Sequence, residues 1–142
     1  RVVFPVHPRT RKNMERFGIW DKLSKAAGLI IEVPLGYLQF MSLVFNSRFV
    51  LTDSGGIQEE TTYLGIPCLT MRPNTERPIT IELGTNKLCN VQDIKSMIES
   101  VLSQSDSKKN QIEFWDGHTA DRVVESIDSL LNGIGVVRKP FL

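Results

Sequence analysis

The sequence is poor in cysteine, poor in aromatic residues and nearly without net charge. It has 2 cysteines, 8% aromatic residues, and 17 basic against 16 acidic side chains, so its net charge is +1. No basic run or face stands out, which argues against nucleic acid or an anionic membrane as a partner. No apolar stretch has the length of a membrane span, and the N-terminus lacks the pattern of a signal peptide.

The two cysteines, Cys68 and Cys89, lie in apolar segments that are typical of buried strands. We therefore expect two reduced core thiols in a cytoplasmic protein, rather than a disulfide or a metal site. The length of 142 residues and the hydrophobic fraction of 41% are typical of one globular domain covering residues 1–142. Because the chain begins at Arg1, without a methionine and directly at a predicted strand, we also expect it to be a fragment of a longer protein.

Short apolar runs alternate with helical patterns, which is typical of βαβ units with a parallel sheet. The predicted strands are residues 2–6, 29–33, 49–52, 67–71 and 87–90. The predicted helices are residues 10–17, 22–27, 38–45 and 57–63, followed by amphipathic helices at 94–102 and 120–131. The 38–45 helix is apolar on most faces and should be buried, and the polar segment 103–110 is predicted as a linker. The whole pattern predicts a Rossmann-like, doubly wound α/β domain.

The apolar run at 49–52 ends in Asp53-Ser54-Gly55-Gly56, and a helical segment follows. Two glycines let a ligand approach the backbone closely, and the start of a helix presents N–H groups and partial positive charge. This arrangement suits phosphate. An ordinary strand-to-helix turn without a ligand explains the same residues equally well.

A second polar cluster follows the fourth predicted strand. The loop at 72–78 carries Arg72 and Arg77, each followed by a proline, and such a rigid cationic fork suits a diphosphate. A third cluster, with His7, follows the first strand. Because open α/β sheets bind ligands at the carboxyl ends of their strands, the three clusters can converge on one rim of a sheet.

Five motifs occur in a fixed order along the chain. They are Val-His-Pro-Arg-Thr at 6–10, Asp-Ser-Gly-Gly-Ile-Gln-Glu-Glu at 53–60, Leu-Gly-Ile-Pro at 64–67, Thr-Glu-Arg-Pro at 75–78 and Gly-Thr-Asn at 84–86. Together they closely resemble the C-terminal half of the non-hydrolysing UDP-N-acetylglucosamine 2-epimerases, over nearly the whole chain. The resemblance implies the second of two Rossmann-like domains in a GT-B-like enzyme, facing the first domain across a cleft.

The predicted binding residues of the second half are Ser54, Gly55, Gly56, Glu60 and Arg77. The first three should hold the diphosphate through backbone N–H groups and the serine hydroxyl. The resemblance implies that Glu60 accepts hydrogen bonds from the ribose hydroxyls, although favourable interaction with the helix dipole would also explain an acidic residue there. Arg77 should neutralise phosphate oxygens. A structural ion pair with a nearby acid is at least as good an explanation for Arg72, and Glu76, which is next to Arg77, could hold Arg77 in place.

The predicted site residues of the first half are His7, Leu35 and Phe40. The resemblance implies that Phe40 packs near uracil and that the main chain around Leu35 reads the base; the sequence alone would place Phe40 in the core. His7 can exchange protons near neutral pH, and we predict that it stabilises charge on the departing UDP. His118 is predicted to belong to a loop and helix start.

The resemblance implies a reaction in which UDP is eliminated with loss of the C2 proton and then re-added to the glycal on the other face. Such an elimination needs a base near C2 and an anion site for UDP. The chain offers the anion site, but no pair of carboxylates in it suits the base. The resemblance places the acid–base carboxylates in an N-terminal domain, and it implies no metal and no redox cofactor. The expected partners are therefore UDP or UDP-N-acetylglucosamine and that N-terminal domain, with a homodimer left open, and the chain alone should be inactive.

Three alternatives remain open at this point. The nearest is the C-terminal nucleotide-binding lobe of a GT-B glycosyltransferase, which shares the fold and the phosphate site. The second is a stand-alone UDP-sugar-binding module without chemistry. The third is a hydrolysing relative that releases UDP and free N-acetylmannosamine.

Overall fold

The computed structural model describes residues 1–103 and 112–133, and it shows an α/β fold with parallel strands. The chain divides into a compact first unit, Arg1–Ser47, and a second unit that begins at Arg48. No helix within the described ranges is both long and apolar enough to cross a membrane. The predicted linker at 103–110 lies outside the described residues, apart from Ser103, which ends a helix.

The first unit contains a two-stranded parallel sheet. Strand β1 (Val2–Pro5) pairs with β2 (Leu29–Glu32), as predicted from the two apolar runs. Between them lie α1 (Pro8–Arg16) and α2 (Trp20–Ser24). Proline at the first position of α1 is favourable, because the N–H that it lacks would have no partner within the helix. The second predicted helix, 22–27, lies a few residues earlier than expected.

Helix α3 (Tyr37–Phe45) corrects one prediction. It forms where the pattern predicted a helix, but it is not buried: Leu38 is 82% exposed and Phe45 is 67% exposed. Val44 is its one buried residue. A helix that is apolar on most faces needs cover on several sides, and a two-stranded sheet can cover only one.

The second unit contains a three-stranded parallel sheet. Strands β3 (Val50–Thr52), β4 (Cys68–Thr70) and β5 (Asn86–Leu88) pair in the order β3-β4-β5. Helix α4 (Gly55–Leu64) connects the first two strands, and the short α5 (Ile79–Glu82) connects the second and third. The sequence patterns did not predict α5, because four residues are too few to show a helical period.

A glycine ends α4 and returns the chain to the sheet. Gly65 has φ = 74°, in the left-handed region that glycine adopts at little cost, and its N–H bonds to the Thr61 and Thr62 carbonyl groups. The Leu-Gly-Ile-Pro motif is therefore the helix C-cap that directs the chain into β4.

The core of the second unit surrounds the central strand β4. Leu69 is fully buried and packs with Cys89 and with Val101 of α6 (Ile94–Ser103). Cys68 and Cys89 are both buried free thiols, as predicted, and burial raises the pKa of each. The last described helix is α7 (Thr119–Gly133). It forms where the amphipathic pattern predicted it, but it has no buried residue.

Candidate anion-binding site

Helix α4 begins shortly after β3, and the serine at its N-cap position does not cap the helix. Ser54 is the N-cap residue, with φ = −84° and ψ = 135°, yet its side chain makes no capping hydrogen bond. Its own N–H donates to Thr52 Oγ1 at 3.0 Å. The first N–H groups of any helix lack partners within that helix, so those at the start of α4 need an acceptor from elsewhere. Ser54 is exposed.

Gly55 and Gly56 are not required by the fold of the free chain. Neither has a positive φ. A Cβ atom on Gly56 would meet nothing within 4 Å, and one on Gly55 would meet only Glu76 Oε2, at 3.8 Å. The two glycines therefore leave open space at the helix start, where the oxygen atoms of an anion could reach the backbone.

The 72–78 loop lies close to this helix start, and its two arginines have different partners. The Arg72 guanidinium binds the Glu76 carboxylate in a bidentate ion pair, with N–O distances of 3.0 and 3.1 Å. The backbone N–H of Glu76 and the Arg72 guanidinium hold the pKa of the Glu76 carboxyl below its usual value. Arg72 therefore has the structural ion pair that the sequence left as an alternative, and Glu76 holds Arg72 rather than Arg77.

The Arg77 side chain forms an ion pair with a carboxylate of α4. Its Nε lies 3.1 Å from Glu59 Oε2, and both side chains are half-exposed. Glu60, the next residue on the helix, forms no ion pair within the described parts of the chain. The two neighbouring carboxylates therefore differ: Glu59 is occupied by Arg77, whereas Glu60 remains open to a ligand hydroxyl.

A buried glutamine forms hydrogen bonds both to the start of α4 and to the 72–78 loop. Gln58 is 0% exposed. Its Nε2 donates to the Ser54 carbonyl at 3.2 Å, and its Oε1 accepts from Thr75 Oγ1 at 2.6 Å and from Asn86 Nδ2 at 3.1 Å. Gln58, Thr75 and Asn86 were not among the predicted site residues. All three belong to quoted motifs, but their contacts join positions that are 17 and 28 residues apart, which no local pattern reveals.

The first unit contains the other three predicted site residues. His7 is the exposed N-cap of α1, and its Nδ1 accepts from Arg9 N–H at 3.2 Å. In the neutral ring this leaves the proton on Nε2, which can donate to an anion. Leu35 precedes α3 in the chain, and Phe40 lies within α3; both are half-buried. Ser54, Gly55, Gly56, Glu60 and Arg77 all belong to the second unit, the first four at the start or within the first two turns of α4.

Two further features bear on the chemistry. A cavity of about 470 Å³ lies at the carboxyl ends of β4 and β5, beside Arg72, and none of the predicted site residues lines it.

Within the described ranges, no group of three or more His, Cys, Asp and Glu side chains is arranged to hold a metal ion.

The second unit combines a parallel sheet, an uncapped helix start with two open glycines and an arginine-bearing loop ion-paired to that helix. In α/β proteins with parallel sheets, helix starts just beyond strand ends are common places for phosphorylated ligands to bind.

Comparison with known proteins identifies the family within this class. The family model of the UDP-N-acetylglucosamine 2-epimerases matches residues 1–128. The UDP-N-acetylglucosamine 2-epimerases of Methanocaldococcus jannaschii and Methanococcus maripaludis are 41% identical to the chain over 125 residues and 38% identical over 128 residues. These matches cover 87% and 89% of this chain and 34% of each relative, so the chain spans about a third of their length. The chain belongs to the UDP-N-acetylglucosamine 2-epimerase family.

A solved structure agrees with the sequence match. The crystal structure of the Methanocaldococcus jannaschii enzyme in complex with UDP-GlcNAc and UDP is similar with a TM-score of 0.77 and 39% identity. The similarity covers 89% of this chain and 35% of that chain. The α/β fold class and the family that the five motifs predicted are confirmed.

Proposed function

We propose that this chain is the UDP-anchoring part of a UDP-N-acetylglucosamine 2-epimerase. The enzyme would interconvert UDP-N-acetylglucosamine and UDP-N-acetylmannosamine. UDP and the C2 proton leave to give a glycal, and UDP and a proton then add back with the opposite configuration at C2. The part played by this chain is to hold the diphosphate as it becomes a leaving group.

The open, uncapped start of α4 is the observation that carries this proposal. Gly55 and Gly56 offer backbone N–H groups to the diphosphate, and Ser54 offers its hydroxyl, which does not cap the helix, whereas the Ser54 N–H is already bonded to Thr52 Oγ1. Arg77 adds positive charge about one turn further along the same helix, where it pairs with Glu59. Donors that are already in place before the reaction stabilise a departing anion without reorganisation. We assign Glu60 to the ribose hydroxyls, because Glu59 is already paired.

For the first unit we retain the roles that the family resemblance implies. His7 donates from Nε2 to the departing UDP, Phe40 packs near uracil, and the main chain at Leu35 reads the base. The support is local: the His7 tautomer leaves Nε2–H free to donate, and Phe40 is only half-buried.

We also propose that the acid–base carboxylates come from a further domain. The chain spans about a third of the length of its curated relatives. Two helices expose apolar side chains that such a domain could cover, Leu38 and Phe45 on α3 and Val124 and Leu130 on α7. In the free chain this apolar area stays in contact with water, at a cost of roughly 25 cal/mol per Å².

Binding of nucleotides tests the anchoring role directly. Isothermal titration calorimetry of the chain should show UDP binding at least about tenfold more tightly than ADP. Arg77→Ala should weaken UDP binding by about 10- to 100-fold, because a charge-assisted hydrogen bond contributes roughly 1.5–3 kcal/mol. Ser54→Ala should weaken it less, because only a neutral hydroxyl is lost.

Two control variants make the calorimetry specific. Arg16→Ala, in α1, removes the same charge and should leave UDP affinity unchanged. Glu59→Gln breaks the ion pair of Arg77 but keeps the guanidinium, so it should not reproduce the loss caused by Arg77→Ala. Equal affinities for UDP and ADP would contradict the uracil assignments, and undetectable binding of UDP would contradict the anchoring role itself.

The division of labour gives a second expectation. UDP-N-acetylglucosamine incubated with this chain should remain unchanged by NMR, because in this proposal the base that removes the C2 proton comes from the further domain. Appreciable formation of UDP-N-acetylmannosamine would show that the chain contains its own acid–base groups. Transfer of the sugar to an added acceptor would instead favour the glycosyltransferase alternative.

A further inference from the structure

Arg77 is connected to Ser54 through two side chains that do not face the proposed ligand. The Thr75 hydroxyl has a single proton, which it donates to Gln58 Oε1 at 2.6 Å. Thr75 Oγ1 in turn accepts a hydrogen bond from the Arg77 N–H at 3.0 Å. Since Gln58 Nε2 donates to the Ser54 carbonyl, a continuous chain of hydrogen bonds runs from the Arg77 backbone to the helix start.

A second chain of hydrogen bonds, which forms the second arm of the network, holds the Arg77 carbonyl group. Thr80 Oγ1 donates to the Arg77 carbonyl at 2.7 Å, and Asn86 Nδ2 donates to Thr80 Oγ1 at 3.1 Å. Asn86 Nδ2 also donates to Gln58 Oε1. Both arms therefore meet at the Gln58 amide, and both the N–H and the C=O of Arg77 are held.

Three members of the network are buried, and the fourth, Thr75, is half-buried. Gln58, Asn86 and Thr80 are each 2% exposed or less. Thr70 Oγ1 donates to Asn86 Oδ1 at 2.6 Å, which engages the remaining oxygen of that amide. A fully satisfied buried network allows one arrangement of the groups attached to it, because any other arrangement would leave a buried polar group unpaired.

We propose that Thr75 and Gln58 are positioning residues for UDP binding, which fix the Arg77 loop against the start of α4 without touching the ligand. The inference rests on the proposed function. A loop that is already ordered loses less conformational freedom when it binds, so the affinity for the diphosphate is higher. Breaking the chain of hydrogen bonds at Thr75 should release the Arg77 loop while Arg77 itself remains.

The test compares two substitutions at one position. Thr75→Val keeps the shape of the side chain but removes the hydroxyl, and Thr75→Ser keeps the hydroxyl. NMR titration should show UDP affinity about tenfold lower for Thr75→Val and within about threefold of the original for Thr75→Ser. Uridine, which lacks the diphosphate, should bind all three proteins equally.

A double-mutant cycle separates positioning from a general structural effect. If Thr75 acts through Arg77, Thr75→Val should cost almost nothing further in an Arg77→Ala background. Hydrogen exchange gives a readout without ligand: the Arg77 amide should exchange at least about tenfold faster in Thr75→Val but not in Thr75→Ser. If Thr75→Val does not fold, Thr75→Ala takes its place in the test. Alanine also removes the hydroxyl, but it does not put a methyl group where the hydroxyl was.

The outcomes are distinct. If the unsubstituted chain binds no UDP, the proposed function fails, and the positioning role fails with it. If the unsubstituted chain binds UDP but Thr75→Val does so equally well, loses uridine affinity too, or adds its full effect to that of Arg77→Ala, only the positioning role is overturned.

Discussion

Gly56→Ala should abolish most of the affinity for UDP while leaving the protein as stable as before, or more stable. The added methyl group would point into open space in the free chain, since no atom lies within 4 Å of the Cβ position. Alanine within a helix is favoured over glycine by roughly 0.5–1 kcal/mol. With UDP bound, the methyl group would occupy the approach to the backbone N–H groups. A steric cost of about 1–3 kcal/mol corresponds to a 5- to 150-fold weaker affinity.

The measurement needs both stability and affinity on the same variant. Urea unfolding gives the free energy of unfolding, and calorimetry gives the dissociation constant of UDP. Gly133→Ala is the matched control: it also lies in a helix with nothing within 4 Å of its Cβ position, but far along the chain on α7. It should leave UDP affinity unchanged. If Gly56→Ala binds UDP as tightly as the unsubstituted chain, the diphosphate does not rest on the start of α4.

Gly84→Ala should produce the opposite result, a large loss of stability. Its Cβ atom would lie 2.5 Å from the Thr80 carbonyl oxygen and 2.5 Å from both Oγ1 and Cγ2 of Thr62. Thr80 is fully buried and Thr62 is 8% exposed, so neither can move aside freely. We expect the free energy of unfolding to fall by about 1–3 kcal/mol, because overpacking forces the backbone to shift.

Urea and thermal unfolding check this prediction, again with Gly133→Ala as the control that adds a methyl group in open space. For a protein of this size, each kcal/mol should lower Tm by roughly 2–8 °C. An unfolding free energy equal to that of the unsubstituted chain would mean that α4 and α5 pack more loosely than the structure shows. The contrast between Gly56 and Gly84 separates glycines kept open for a ligand from glycines required by packing.

Much of the fold was predictable because its signals are local. Each of the five apolar runs forms a parallel strand, shortened at its ends in most cases. The amphipathic pattern at 94–102 correctly placed α6 and its buried face at Val101. The exposure of α3 was predicted wrongly, because the apolarity of a helix does not tell which surfaces the rest of the chain provides to cover it.

The candidate site was predicted in part. The Ser-Gly-Gly turn and the arginine loop could be found from residue type alone, since glycine and arginine have few substitutes for close approach and for charge. The sequence could not assign the partners of Arg72 and Arg77. In the structure Arg72 pairs with Glu76, four residues away, and Arg77 pairs with Glu59 across the fold.

The sequence by itself determined the strands, the Ser-Gly-Gly start of α4 and the chemical types available for binding an anion, since these depend on residues within a few positions of one another. The tertiary structure decided that Glu59 is the carboxylate paired with Arg77, and that the Gln58 amide connects the start of α4 to the 72–78 loop. Gln58 meets Thr75 and Asn86 only after β3, β4 and β5 align side by side and bring the segments that follow them to one helix. Such contacts depend on the packing of distant segments, which no short stretch of sequence encodes.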